Sequence, residues 1–152
     1  MPARYEDWLR QAKRDLEHAQ RALDDGDYEW ACFAAQQSAE KAVKALFLKA
    51  NGDAWGHSVS ALLQQLPKQW QADESLINAG KALDKHYIPP RYPNSYPEGA
   101  PYDYYTREEG ERAIAHTKDI LVFCQCLLVE PEPSADAAEA VGGTSGGESP
   151  GD

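Results

Sequence analysis

Arg112 and His116 lie four apart in a stretch, Arg107–Leu128, whose apolar spacing predicts a helix, so the two side chains share one face. That pair is suited to cleaving a phosphodiester. An arginine fork stabilises the charge that develops on phosphorus, and an imidazole moves protons from or to the ribose oxygens. The alternative is two solvated residues on a helix flank. A second group is spaced to hold a phosphate. Lys41 and Lys44 lie one turn apart, on the same helix side as Gln37, and offer two ammonium groups and an amide to an anion. Otherwise they form a solvated basic strip in which Glu40 and Lys44 make an ordinary i,i+4 pair.

Two further candidates stand at chain turns. His57 follows Gly56 and precedes a predicted helix, a position that suits an anion and equally suits a structural histidine anchoring its loop to the bundle. Arg91 lies within YIPPRYPNSYPEGAPYDYY, Tyr87 to Tyr105, which holds six of the eight tyrosines and five of the ten prolines. Each X-Pro step keeps the preceding residue extended, so this segment can be rigid without being regular. Arg91 is then held in a defined place, where its fork takes a phosphate or a carboxylate, and Tyr92 or Tyr96 is available to stack on a base. As a purely structural clamp the segment crosses the helix ends, with Arg91 tied to an acid such as Glu40 or Asp84.

Other chemistries find no matching pattern. Cys32, Cys124 and Cys126 show no CxxC spacing and read as small buried apolar residues. No histidine pair has a metal-ligand spacing and no glycine-rich phosphate loop is present, so neither a metal nor a cofactor is expected. The net charge of −10 is concentrated at one end. Residues 130–152 carry six acids and no Lys or Arg, which leaves −4 for residues 1–129. A local basic patch on that body is compatible with this balance, whereas a broadly cationic surface is not.

These groups depend on helices to position them. Trp8, Ala12, Leu16, Ala19 and Leu23 mark an amphipathic helix over Arg4–Asp25, which Gly26 closes. A second helix, Tyr28 to Ala50, carries the stripe Ala31, Ala35, Ala39, Ala42, Val43 and Leu46, small enough to let a neighbouring backbone approach. Its other side holds Trp30, Phe33 and Leu48 as well as polar residues, so it is expected to be sandwiched within the domain or against another subunit. A short helix from Ser58 ends at Pro67, and another runs from Asp73 to Tyr87 before Pro89 and Pro90. Thr106 and Glu109 are spaced as a capping box for the last helix, whose inward residues are Ala113, Ile114, Thr117, Leu121, Cys124 and Leu128. The expected fold is all-α: an antiparallel up-and-down bundle of four to five helices over residues 1–129, with a long Pro/Tyr-rich loop before the last one. Residues 130–152 are expected to be a disordered acidic tail. With no apolar run long enough to span a bilayer and no leader pattern, a cytoplasmic protein without membrane contact is expected.

AQQSAEKAVKALFLKANG at 35–52, His57 at the next helix, and LDKHYIPPRYP at 83–93 together resemble the HEPN domain family over about residues 5–128. The resemblance implies a helical bundle, frequent homodimers, and genes beside one for a minimal nucleotidyltransferase. Some members are ribonuclease toxins, which use an Arg, four to six intervening residues and a His near the start of a late helix. This chain departs from that pattern: eight residues separate Arg107 from His116, and three separate Arg112 from His116. The resemblance therefore implies a dimeric nucleotide- or RNA-binding companion of a minimal nucleotidyltransferase, in a toxin-antitoxin-like pair. The alternatives are a metal-independent endoribonuclease toxin using Arg91, Arg112 and His116, and a structural module that pairs through Trp30, Phe33 and Leu48.

Overall fold

A computed structural model describes residues 4–129 as an all-helical bundle, with no strand among the described residues. Helices α1 (Arg4–Asp25) and α2 (Tyr28–Lys49) form a hairpin, followed by α3 (Val59–Gln64), α4 (Glu74–Asp84), α5 (Pro101–Tyr104) and α6 (Arg107–Val129). The expectation for residues 130–152 lies outside the described residues. No described helix is long and apolar enough to cross a membrane.

Small side chains set the spacing of the bundle. Ala12 and Ala19 of α1, and Ala31, Ala35, Ala39 and Ala42 of α2, are fully buried. The helices come close enough for side chains to bond across to backbone: Ser38 Oγ donates to the Ala12 carbonyl at 2.6 Å, and Thr117 Oγ1 to the Ala35 carbonyl at 2.8 Å. The two buried hydroxyls are satisfied at those carbonyls rather than orphaned. Helix α2 is thereby the central element, packed on α1 along one side and α6 along another, with α3 and α4 against its remaining flank. The turn after α1 forms as the sequence predicts, with Gly26 at φ 85° and the Asp27 amide donating to the Ala22 carbonyl at 2.8 Å.

The structure departs from expectation at four places. Helix α4 ends at Asp84, three residues before Tyr87, because the Asp84 carboxylate is drawn to the start of α3: it accepts from the Val59 amide at 2.6 Å and Ser58 Oγ at 2.9 Å. Ile88 precedes Pro89 and is disfavoured from helix in any case. The Pro/Tyr segment is not wholly irregular, since Pro101 opens the one-turn helix α5 and Asp103 accepts from the Ala100 amide at 2.9 Å. Thr106 Oγ1 caps Glu109 N at 3.2 Å, but its hydroxyl rather than its amide meets the Glu109 carboxylate, at 3.3 Å. Cys32 and Cys124 are buried, whereas Cys126 is exposed, because it lies two positions from Cys124 and so points away from the core.

Candidate functional site

The site grows from one face of α2. Gln36 is fully buried, and its amide nitrogen donates both to Glu40 Oε1 at 3.2 Å and to the His57 carbonyl at 3.0 Å. One side chain thus fixes a carboxylate one turn away and the loop that enters α3. Glu40 is itself buried, 5% exposed, and is compensated on both oxygens: Oε1 faces His57 Nδ1 at 3.1 Å and Oε2 faces Lys44 Nζ at 3.4 Å. A carboxylate in so dry a place requires partners of this kind. Since an ionised carboxylate only accepts, Nδ1 carries the hydrogen and a neutral His57 presents Nε2 as an acceptor.

His57 is more than half exposed, and its ring stacks on Tyr87 with centroids 4.5 Å apart and planes 19° apart. Tyr87 also holds Arg91, whose Nε donates to the Tyr87 carbonyl at 2.8 Å. The Arg91 guanidinium carbon lies 4.4 Å from the centre of the Phe33 ring, 4.7 Å from Tyr87 and 5.4 Å from Tyr92. Arg91 therefore rests on aromatic faces, not on Glu40 or Asp84. Those acids are committed elsewhere, Glu40 to His57 and Lys44, and Asp84 to the start of α3. Among the described residues no carboxylate pairs with Arg91, which is held by the Tyr87 carbonyl and the aromatic faces.

Lys41 and Lys44 do not form a free pair. Lys41 Nζ is bound to Asp15 Oδ2 at 2.6 Å and to Gln37 Oε1 at 3.3 Å, while Lys44 serves Glu40. Gln37 donates in turn to Gln36 Oε1 at 2.8 Å, so the polar side chains form one chain from Asp15 to His57. Arg112 and His116 lie apart from this group. Arg112 is exposed and bound to Glu108 at 2.5 Å, and His116 lines a cleft with Asp119 and the first turn of α4.

The structure brings His57, Arg91 and Tyr92 to one shelf and joins Gln37, Lys41 and Lys44 to it through hydrogen bonds. Sequence reasoning did not single out Gln36, which organises the shelf, and took Glu40 as a partner for Lys44 or Arg91 rather than for His57. The available signal was an amide and a carboxylate four apart, beside the Ala stripe of α2, where polar groups must find buried partners. Among the described residues, no three His, Cys, Asp or Glu side chains converge in a way that could hold a metal ion.

A family model of the HEPN domain matches residues 5–127. The chain is 29% identical to a Methanocaldococcus jannaschii protein named "Putative toxin MJ1304", over 81% of this chain and 87% of that one. Among solved structures it resembles the TT1696 protein of Thermus thermophilus, at 50% identity with a TM-score of 0.79, over 81% of this chain and 97% of that one. It also resembles ST0689, described as an archaeal HEPN homologue, at 43% identity and a TM-score of 0.70 over 82% and 97% of the two chains. A HEPN domain protein from Thermotoga maritima matches at 39% identity and a TM-score of 0.68, over 82% and 99%.

Proposed function

Because the chain belongs to the HEPN domain family, we propose that it binds a nucleotide or RNA on the Arg91 shelf and acts as the homodimeric companion of a minimal nucleotidyltransferase. The observation that carries the reading is the state of Arg91. A guanidinium stacked on Phe33, Tyr87 and Tyr92, and bound at Nε to a carbonyl, is held in position with its charge unpaired by any described carboxylate. Such a group takes a phosphate without first breaking an ion pair. His57 Nε2 stands ready for a ribose hydroxyl or a phosphate proton, and the half-exposed Tyr92 ring for a base. The Methanocaldococcus relative carries a toxin name, which is consistent with a toxin-antitoxin-like setting for this chain.

The test uses the purified full chain. Thermal shift and equilibrium dialysis with ribonucleotides and a short RNA should show saturable binding that Arg91→Ala weakens at least tenfold, and the chain should co-purify with the neighbouring nucleotidyltransferase. Absence of any binding, together with no such neighbour, would overturn the reading. A second reading, an endoribonuclease toxin, is favoured by the same relative's name. It predicts cleavage of structured RNA without added metal, lost in His116→Ala if His116 moves the protons.

A further inference from the structure

A cleft of about 300 Å³ opens beside the Arg91 shelf, between α1 and the stretch of α2 from Trp30 to Lys41. We infer that it is a nucleobase subsite, holding the base of the same nucleotide unit whose phosphate Arg91 takes; the inference rests on that phosphate reading and adds the half of the ligand that Arg91 cannot recognise. Its size is at the low end for ligand pockets and suits one base with part of its sugar.

Three observations converge on a flat, polar-edged ligand. One wall is aromatic: Trp30, 47% exposed, meets Phe33 edge to face at 6.2 Å and 72°, and the buried Ala34 lines the cleft beside them. A half-exposed tryptophan lining a cleft offers a π face at little cost in ordering. The far end is polar and already oriented. Lys41 is bound to Asp15 and Gln37, Gln37 is bound to Gln36, and Gln11 Nε2 donates to Asp15 Oδ1 at 2.8 Å. After those bonds Lys41 and Gln37 each retain a hydrogen to donate, and the Asp15 oxygens retain lone pairs. Fixed donors and acceptors on one edge of an aromatic slot are what reading a base edge requires.

The third observation is continuity. Phe33 belongs to both places, since one side of it lines the cleft and Arg91 rests on its ring at 4.4 Å. From the Trp30 ring to the Arg91 guanidinium carbon is therefore no more than about 11 Å. That separation is within reach of a single nucleotide with its base on Trp30 and its phosphate on Arg91. The shared chemistry is a nucleotide unit, either free or part of an RNA strand.

Binding of the full chain would be measured by calorimetry with the four ribonucleoside 5′-monophosphates, ribose 5-phosphate and a ten-nucleotide RNA of mixed sequence. At least one monophosphate, or the RNA, should bind more tightly than ribose 5-phosphate, by the roughly 5- to 150-fold that stacking on an aromatic ring contributes. Trp30→Ala should remove that advantage and leave ribose 5-phosphate binding unchanged, while Trp30→Phe restores most of it. Tight monophosphate binding assigns the site to free nucleotides; RNA binding with the same dependence on Trp30 assigns it to a strand. Equal affinity for ribose 5-phosphate and every monophosphate and RNA, or an advantage that survives Trp30→Ala, overturns the base subsite while the phosphate reading stands. Binding of none of these overturns both. Circular dichroism and the thermal midpoint of each variant separate loss of the ring from loss of the fold, and Gln37→Leu, which keeps both aromatic rings, should lower the preference among the four bases.

Discussion

His57 Nδ1 stands 3.1 Å from Oε1 of Glu40, seventeen residues earlier, and Glu40 is the only acid buried among the described residues. The pair joins the loop before α3 to the central helix, and the exposed imidazole is presented from a buried carboxylate. Glu40→Ala should leave Lys44, whose side chain is only 12% exposed, without its carboxylate. Removing one member of a buried ion pair costs about 3 kcal/mol, and denaturant titration should show that loss with little change in slope. Glu40→Gln, which keeps a hydrogen-bonding group at the site, should cost less. Equal stability of wild type and Glu40→Ala would contradict this account.

Arg91 gives a prediction that separates charge from shape. Arg91→Ala should weaken phosphate-ligand binding roughly 10- to 100-fold, the range for a lost charge-assisted hydrogen bond. Arg91→Lys should not restore it, because an ammonium neither stacks as a planar fork on Phe33 and Tyr87 nor presents two parallel donors. Full recovery in the lysine variant would show that only net charge matters there.

Burial lowers His86 below the ordinary imidazole value of 6.5, against a smaller upward pull from Glu109, with Lys85 and His116 adding to the lowering. The ring also faces the Tyr105 hydroxyl at 3.2 Å, whose own ionisation burial pushes upward. The unfolded chain therefore binds the His86 proton more readily than the folded one. Stability attributable to this group is complete above pH 6.5 and is lost as pH falls through the lower folded value. The difference in unfolding free energy between wild type and His86→Gln should vary with pH from 7 to 5 in that sense. A pH-independent difference would remove His86 as the cause.

Thiol chemistry should divide the three cysteines. Cys126 is exposed, while Cys32 is buried and pushed up to about 12, and burial pushes Cys124 up as well. A thiol reagent at pH 8 should label Cys126 rapidly in the folded chain and reach Cys32 and Cys124 only in denaturant. Rapid labelling of a second cysteine under native conditions would contradict the burial.

Two glycines should respond differently to alanine. A Cβ on Gly80 would lie 3.0 Å from the Ser60 amide nitrogen and 3.1 Å from its Cα, so α3 and α4 would have to separate. Overpacking of that kind costs about 1–3 kcal/mol. At Gly110 the close neighbour is the Leu23 Cδ1 methyl, which can rotate, and the gain in helix propensity offsets the contact. Thermal denaturation should therefore show a clear loss for Gly80→Ala and little change for Gly110→Ala.

Much of this protein is local and was legible as such. The apolar residues of α1, α2 and α6 recur at helical spacing, and Gly26, Ser58, Thr106 and the prolines mark ends, because helix periodicity and capping involve residues within one turn. The resemblance carried by Gln36, Gln37, Glu40, Lys41, Lys44, His57 and Arg91 also lies in plain sequence. What the tertiary structure alone decided is which of these groups are spent on each other. Asp84 and Glu40 were equally plausible partners for Arg91. The packing of α3 on α4 took Asp84, and the approach of the His57 loop to α2 took Glu40, which left Arg91 on three rings. Lys41 and Lys44, adjacent on the helix, were separated in role by Asp15, a residue of another helix. Pairings across 17 to 26 residues depend on which helix faces meet, and no local propensity encodes that.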